Sequence, residues 1–162
     1  MAARKPSEAA PAPGSARKGV ERGPRHHARA LALQGLYGWL LAGGEAGAIG
    51  TQLLTSEQAA KVDVDFFREI LGGSIAAAEE SRRQLSGLLD RPVASLSPVE
   101  HAILLLGAYE LSCRPEIPYR VTLNEAIELA KSFGGTDGFR YVNGVLDKLA
   151  ARLRPAEAQA RA

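Results

Sequence analysis

The sequence predicts an all-α single domain, a compact helical bundle of about six or seven helices, and three observations carry that prediction. Apolar residues recur at helical spacing in segment after segment, no segment sustains the period-two alternation of a half-buried strand, and cap signals precede the strongest apolar runs. With 162 residues and 46% hydrophobic content, the chain holds enough apolar surface for one core and too little length for a second.

Residues 1–24 are rich in Ala, Pro and Gly without periodicity, which predicts a disordered basic arm ahead of a helical domain over 25–155. After Pro24 the pattern changes: Leu33, Leu36, Tyr37, Leu40 and Leu41 follow the i, i+3, i+4, i+7, i+8 series of an amphipathic helix, and "AGGEAGAIG" stops it. From Val62 to Leu89 a stripe of Phe66, Ile70, Ser74, Ala78, Leu85 and Leu89 predicts a long helix, bent at Gly72-Gly73. "LSPVEHAILLLGAYEL" opens with Ser97 as cap, Pro98 at the first helical position and Glu100 three residues on, and is apolar on nearly all sides, as a central core helix would be.

Pro115 and Pro118 force a turn, after which Thr122-x-x-Glu125 repeats the capping pattern and Leu123, Ile127 and Ala130 line a face up to Gly134-Gly135. A last helix is predicted from Thr136 or Asp137, burying Phe139, Val142, Leu146, Leu149 and Leu153 and ending at Pro155, with 156–162 a short flexible tail.

The net charge of +2 conceals a split. Residues 1–29 carry seven basic side chains against two acidic ones, and the remainder thirteen against sixteen. A basic arm on a mildly acidic body points to an acidic partner such as nucleic acid, the plain alternative being a solubilising tail. No apolar run approaches the length of a bilayer span, the front has no secretory pattern, and the lone Cys113 forms no internal disulfide, so a reducing, cytoplasmic setting is expected. No Cys/His spacing suggests a metal, and His26, His27, His101, Ser97 and Cys113 form no motif that fixes a nucleophile beside a base. Neither metal, cofactor nor catalysis is therefore expected.

One stretch invites a functional reading. In "KSFGGTDGFRYVNGVL", Lys131, Phe133, Asp137, Arg140 and Asn143 gather a cation, an aromatic ring and polar groups around a helix start whose free N–H groups attract phosphate. Phe133 can stack on an unpaired base, and Asn143 offers donors and an acceptor to a base edge, although each residue alone also suits a purely structural role. A helix-borne Asn143-Gly144 costs up to about 1 kcal/mol per residue relative to Ala and so asks for a reason.

"RHHARALALQGLYGWLL", "YEL", "IPYRVTLNEAIELAKSFG" and "YVNGVLDK" together closely resemble the NusB family of bacterial antitermination factors over residues from about 22 to 155. The resemblance implies an all-helical, non-catalytic protein that pairs with the small-subunit ribosomal protein NusE, binds single-stranded boxA RNA in ribosomal RNA leaders, and joins other Nus factors on RNA polymerase. Self-association is a further family trait. By motif it implies RNA contacts at Arg22, Arg25, His26, Arg29 and Tyr37 on the front side and at Lys131, Phe133, Asp137, Arg140 and Asn143 on the other. Glu100, Tyr109 and Glu110 are the implied face toward NusE. "RHHAR" stands where many members have a run of arginines, which suggests pH-sensitive affinity through His26 and His27. The competing reading is a helical protein-binding module or self-associating scaffold whose arm reads no RNA. The expectation common to all of this is that Arg29 and Phe133 share one continuous surface.

Overall fold

A computed structural model describes residues 23–134 and 138–161, and among these the regular structure is entirely helical. Eight α-helices follow one another: α1 (Pro24–Ala42), α2 (Ala46–Leu53), α3 (Val64–Ala76), α4 (Ala78–Ser86), α5 (Pro98–Cys113), α6 (Tyr119–Phe133), α7 (Gly138–Leu153) and α8 (Pro155–Arg161). Short 3-10 turns at Glu57–Lys61 and Val93–Ser95 fill two connections. Helix α5 is the axle: Ala102 through Ala108 are all buried, and α1, α3, α4, α6 and α7 all pack on it. A helix apolar all round belongs at the centre of a bundle, as its sequence required.

The predicted start of α5 holds, with the Ser97 hydroxyl accepting from the Glu100 N–H at 3.1 Å. Elsewhere the boundaries move. "AGGEAGAIG" is not merely a stop: Gly43 and Gly44 turn the chain at positive φ (74° and 116°), and Glu45 then caps α2 by accepting from the Ala48 N–H. The long helix expected over 62–89 is two, divided at Ala77 rather than at the glycine pair. Gly73 serves packing instead, because a Cβ there would lie 2.4 Å from the Tyr109 ring.

Helix α6 begins at Tyr119, so Thr122 and Glu125 are buried inside it and form no cap. Its first turn is completed from far away: the Tyr119 N–H donates to a Glu157 carboxylate oxygen at 2.9 Å. Residues expected to be a flexible tail are thus the helix α8, and the reason is Arg154. Its buried guanidinium donates to the carbonyls of Glu110, Leu111, Arg114 and Ile117 and pairs with Glu157 at 3.1 Å. A cation on the last carbonyls of α5 satisfies acceptors that the helix end leaves open and complements its dipole.

Candidate nucleic-acid interface

Helix α1 carries the basic front of the domain, and its first turns do not present all of it to solvent. The Arg29 side chain is 1% exposed and donates from Nε and Nη2 to both carboxylate oxygens of Glu110, at 2.8 and 3.0 Å. Glu110 also accepts from the Thr122 hydroxyl at 3.3 Å, while Glu125 lies 2.9 Å from His26 Nδ1 and 3.9 Å from Arg29 Nη1. Arg29, Glu110 and Glu125 are each almost wholly buried, so charge has been placed inside the bundle and paired there. This corrects two expectations: Arg29 is not part of an open cationic surface, and Glu110 does not face a partner. The physical cause is position, for Arg29 lies four and seven residues ahead of Leu33 and Leu36, in line with the stripe that packs on α3 and α5.

Arg25 stays outside, its side chain 40% exposed, with its guanidinium over Phe66 at 4.4 Å and Asp63 at 3.8 Å. Arg22 and Asp137 lie outside the described residues. His27 titrates below its ordinary range, first because it is partly buried and then because His26 and Lys61 stand nearby.

Farther along α1 the helix turns its edge outward. Tyr37 is 39% and Leu41 60% exposed, so the stripe inferred from spacing includes two residues the core does not take. Tyr37 shares a cleft of ≈ 420 Å³ with Leu33, Gln34, Val99 and Phe133, which itself is 46% exposed. Residues 37 and 133, 96 apart in sequence, are therefore brought together. Phe133 and Arg29 are not: one lines this cleft and the other is inside the bundle.

A second opening, a groove of ≈ 340 Å³ between α6 and α7, is lined by Asn124, Ile127, Glu128, Lys131, Phe139, Arg140 and Asn143. Three residues singled out by sequence, Lys131, Arg140 and Asn143, meet here. Phe139, expected in the core, is only half-buried; Lys131 Nζ and the Arg140 guanidinium stand 4.9 and 5.5 Å from its ring centre. Its place four residues before Asn143, on the same flank of α7, was the available signal. Gly144 has open space where a side chain would be, so its freedom serves no packing within the described residues.

Beside the groove, the Glu100 carboxylate approaches the start of α7, 3.4 Å from where a Cβ on Gly138 would sit. An acidic group at a helix N-terminus is favourable, so Glu100 has a task inside the domain as well as any outside it. Tyr109 is half-buried, its hydroxyl donating to Glu69 at 2.5 Å; burial, then this carboxylate, push its ionisation well above the usual tyrosine range. Among the described residues no helix is long and apolar enough to cross a membrane.

Fold and surface together define a small all-α protein with the exposed rings of Tyr37 and Phe133 in a cleft between α1 and the end of α6, and with Lys131, Arg140 and Phe139 in a groove between α6 and α7. The chain belongs to the NusB family, whose family model matches residues 26–151. It is 56% identical over 133 residues to the transcription antitermination protein NusB of Nitrosospira multiformis, covering 82% of this chain and 84% of that one. The corresponding protein of Bordetella pertussis is 53% identical over 143 residues, covering 86% and 93%. Among solved structures, T. maritima NusB superposes with a TM-score of 0.74 at 27% identity over 86% of this chain and 99% of that one. The fold is shared as well with a crystal structure of antitermination factors NusB and NusE in complex with dsRNA, at TM-score 0.72 and 23% identity over 79% and 96%.

Proposed function

We propose that this chain is an RNA-binding transcription antitermination factor that acts together with ribosomal protein NusE on boxA-type single-stranded RNA in nascent ribosomal RNA, alongside other Nus factors and RNA polymerase. The supporting observation is the groove that sets Lys131, Arg140 and Asn143 around the Phe139 ring. Single-stranded RNA exposes phosphates and bases together, so a surface that mixes cations, an aromatic ring and an amide meets both. Lys131, Arg140 and Arg25 take phosphates, and Asn143 offers hydrogen bonds to a base edge. His26 and Arg29 act one step back in this reading: tied to Glu125 and Glu110, they hold the helix from which Arg25 is presented. Glu100 and Tyr109 remain the residues proposed to face NusE.

The task is assembly, not turnover; the protein works in the cytoplasm, where transcripts form, and needs no cofactor for it. Binding measured to boxA RNA alone, to NusE alone and to both together tests the reading. Affinity for RNA that rises when NusE is present supports it. Tight NusE binding with no RNA affinity in any combination would replace it with a protein-binding scaffold.

A further inference from the structure

A buried ring at the start of α3 gathers three cations. Phe66 is 3% exposed, and the guanidiniums of Arg25, Arg29 and Arg114 stand 4.4, 5.0 and 5.3 Å from its centre. Two of the three are already committed: Arg29 lies inside the bundle on Glu110, and Arg114 is engaged by Glu69 and Glu116. Arg25 is different. Its countercharge is Asp63, whose Oδ2 lies 3.8 Å from the Arg25 Nε, beyond hydrogen-bond reach, and the arginine side chain keeps much of its surface in solvent.

Asp63 is fixed beside Arg25 by two hydrogen bonds. Its N–H donates to the Pro24 carbonyl at 3.1 Å, and its Oδ1 accepts from the Phe66 N–H at 3.0 Å as the cap of α3. These bonds keep the carboxylate next to the first turn of α1, which has no acidic residue of its own and whose positive end favours an anion. An anion therefore already stands where α1 and Arg25 together would draw a phosphate. We propose that Asp63 is an internal competitor of RNA phosphate for Arg25, a built-in counter-ion that holds RNA affinity below what this end of α1 would otherwise give. The inference rests on the RNA-binding reading above and adds to it a residue that sets the strength of binding. Phosphate contacts carry no sequence information, so Asp63 tunes affinity and leaves base preference alone.

The test uses the full chain with NusE, titrated with boxA RNA and with a scrambled RNA of the same length. Asp63→Asn and Asp63→Ser both keep an oxygen able to cap α3 and lose the charge. They differ in the hydrogen bonds they offer, so a gain shared by the two belongs to the lost charge. Each is expected to bind both RNAs about fivefold more tightly, the effect of one unit charge at about 4 Å in water, and to steepen the log–log salt slope. In the Arg25→Ala background the same substitutions gain less than about twofold, because no phosphate is held there. Asp65→Asn, which removes an exposed charge two residues on, also gains less than about twofold. Tighter binding is an outcome that lost structure would not produce.

Wild-type affinity in both Asp63 variants overturns the proposal. So does a gain of equal size in the Arg25→Ala background or in Asp65→Asn, which would be the general field of the surface. A gain for boxA RNA alone overturns it as well, since Asp63 would then act on base preference. Wild type and variants that bind NusE and never RNA are a separate result, which removes the RNA-binding reading and this proposal with it.

Discussion

The two halves of α1 reverse what their residues suggest. The first half has the arginines and histidines, and its Arg29 is buried against Glu110; the second half has the leucines and aromatics, and its Tyr37 and Leu41 stand in solvent. Residue type alone did not set exposure. Helical phase and available partners did: Arg29 falls on the packed stripe and finds two carboxylates there, whereas Tyr37 falls beyond the edge of that stripe and finds a cleft.

The sharpest way to break the comparison is to remove the buried charge. Arg29→Met is expected to cost about 3–5 kcal/mol, since it leaves the buried Glu110 carboxylate without its countercharge. Urea unfolding measures this, and a loss under about 1 kcal/mol would mean the first half of α1 is not held by that pair. Next comes His26→Ala, which deprives the buried Glu125 of a hydrogen bond at 2.9 Å and is expected to cost about 1–3 kcal/mol by the same measurement.

The third effect is smaller and depends on pH. In the second half of α1, Trp39 lies under Arg82 at 5.7 Å, and Arg82 Nε donates to His101 Nε2 at 3.2 Å. Burial, and then Arg82, hold His101 below its ordinary range. The unfolded chain therefore binds the proton first: the stability tied to neutral His101 is complete above about pH 6.5, falls as pH drops below that, and levels out beneath the folded-state value. Unfolding midpoints at about pH 7.5 and pH 5.5 should differ less in His101→Gln than in wild type. An unchanged difference would place the acid sensitivity in another group.

The smallest expected stability effects are at the surface. Arg25→Ala and Tyr37→Ser should each shift unfolding by no more than about 0.5 kcal/mol. Arg25→Ala should nevertheless lower the log–log salt slope of RNA binding by about 0.7 if it neutralises one phosphate. An unaltered slope would take Arg25 out of the interface.

How much was legible follows from where each cause lies along the chain. Helix α5 was readable because cap, proline and apolar run are contiguous, and the Lys131–Asn143 cluster because its members span a single helix junction. The fate of Arg29 depended on Glu110, 81 residues away, and the role of His26 on Glu125, 99 away. Their signal was there in a weaker form, as carboxylates set among apolar residues: Glu110 in "AYEL" and Glu125, one of two glutamates, in "LNEAIELA". Helix α2 was hidden by the glycines before it, and α6 was misplaced because Thr122 has the chemistry of a cap and uses it on Glu110 instead.

The clasp made by Arg154 and Glu157 sets an order of events during synthesis. The corner from Glu110 to Tyr119 is translated early but lacks its last hydrogen-bonding groups until Glu157 emerges, 38 residues after Tyr119. At about 5–20 residues per second, that interval is about two to eight seconds. A nascent chain stalled before Arg154 would therefore carry an unfinished corner between α5 and α6, completed only once translation passes Glu157.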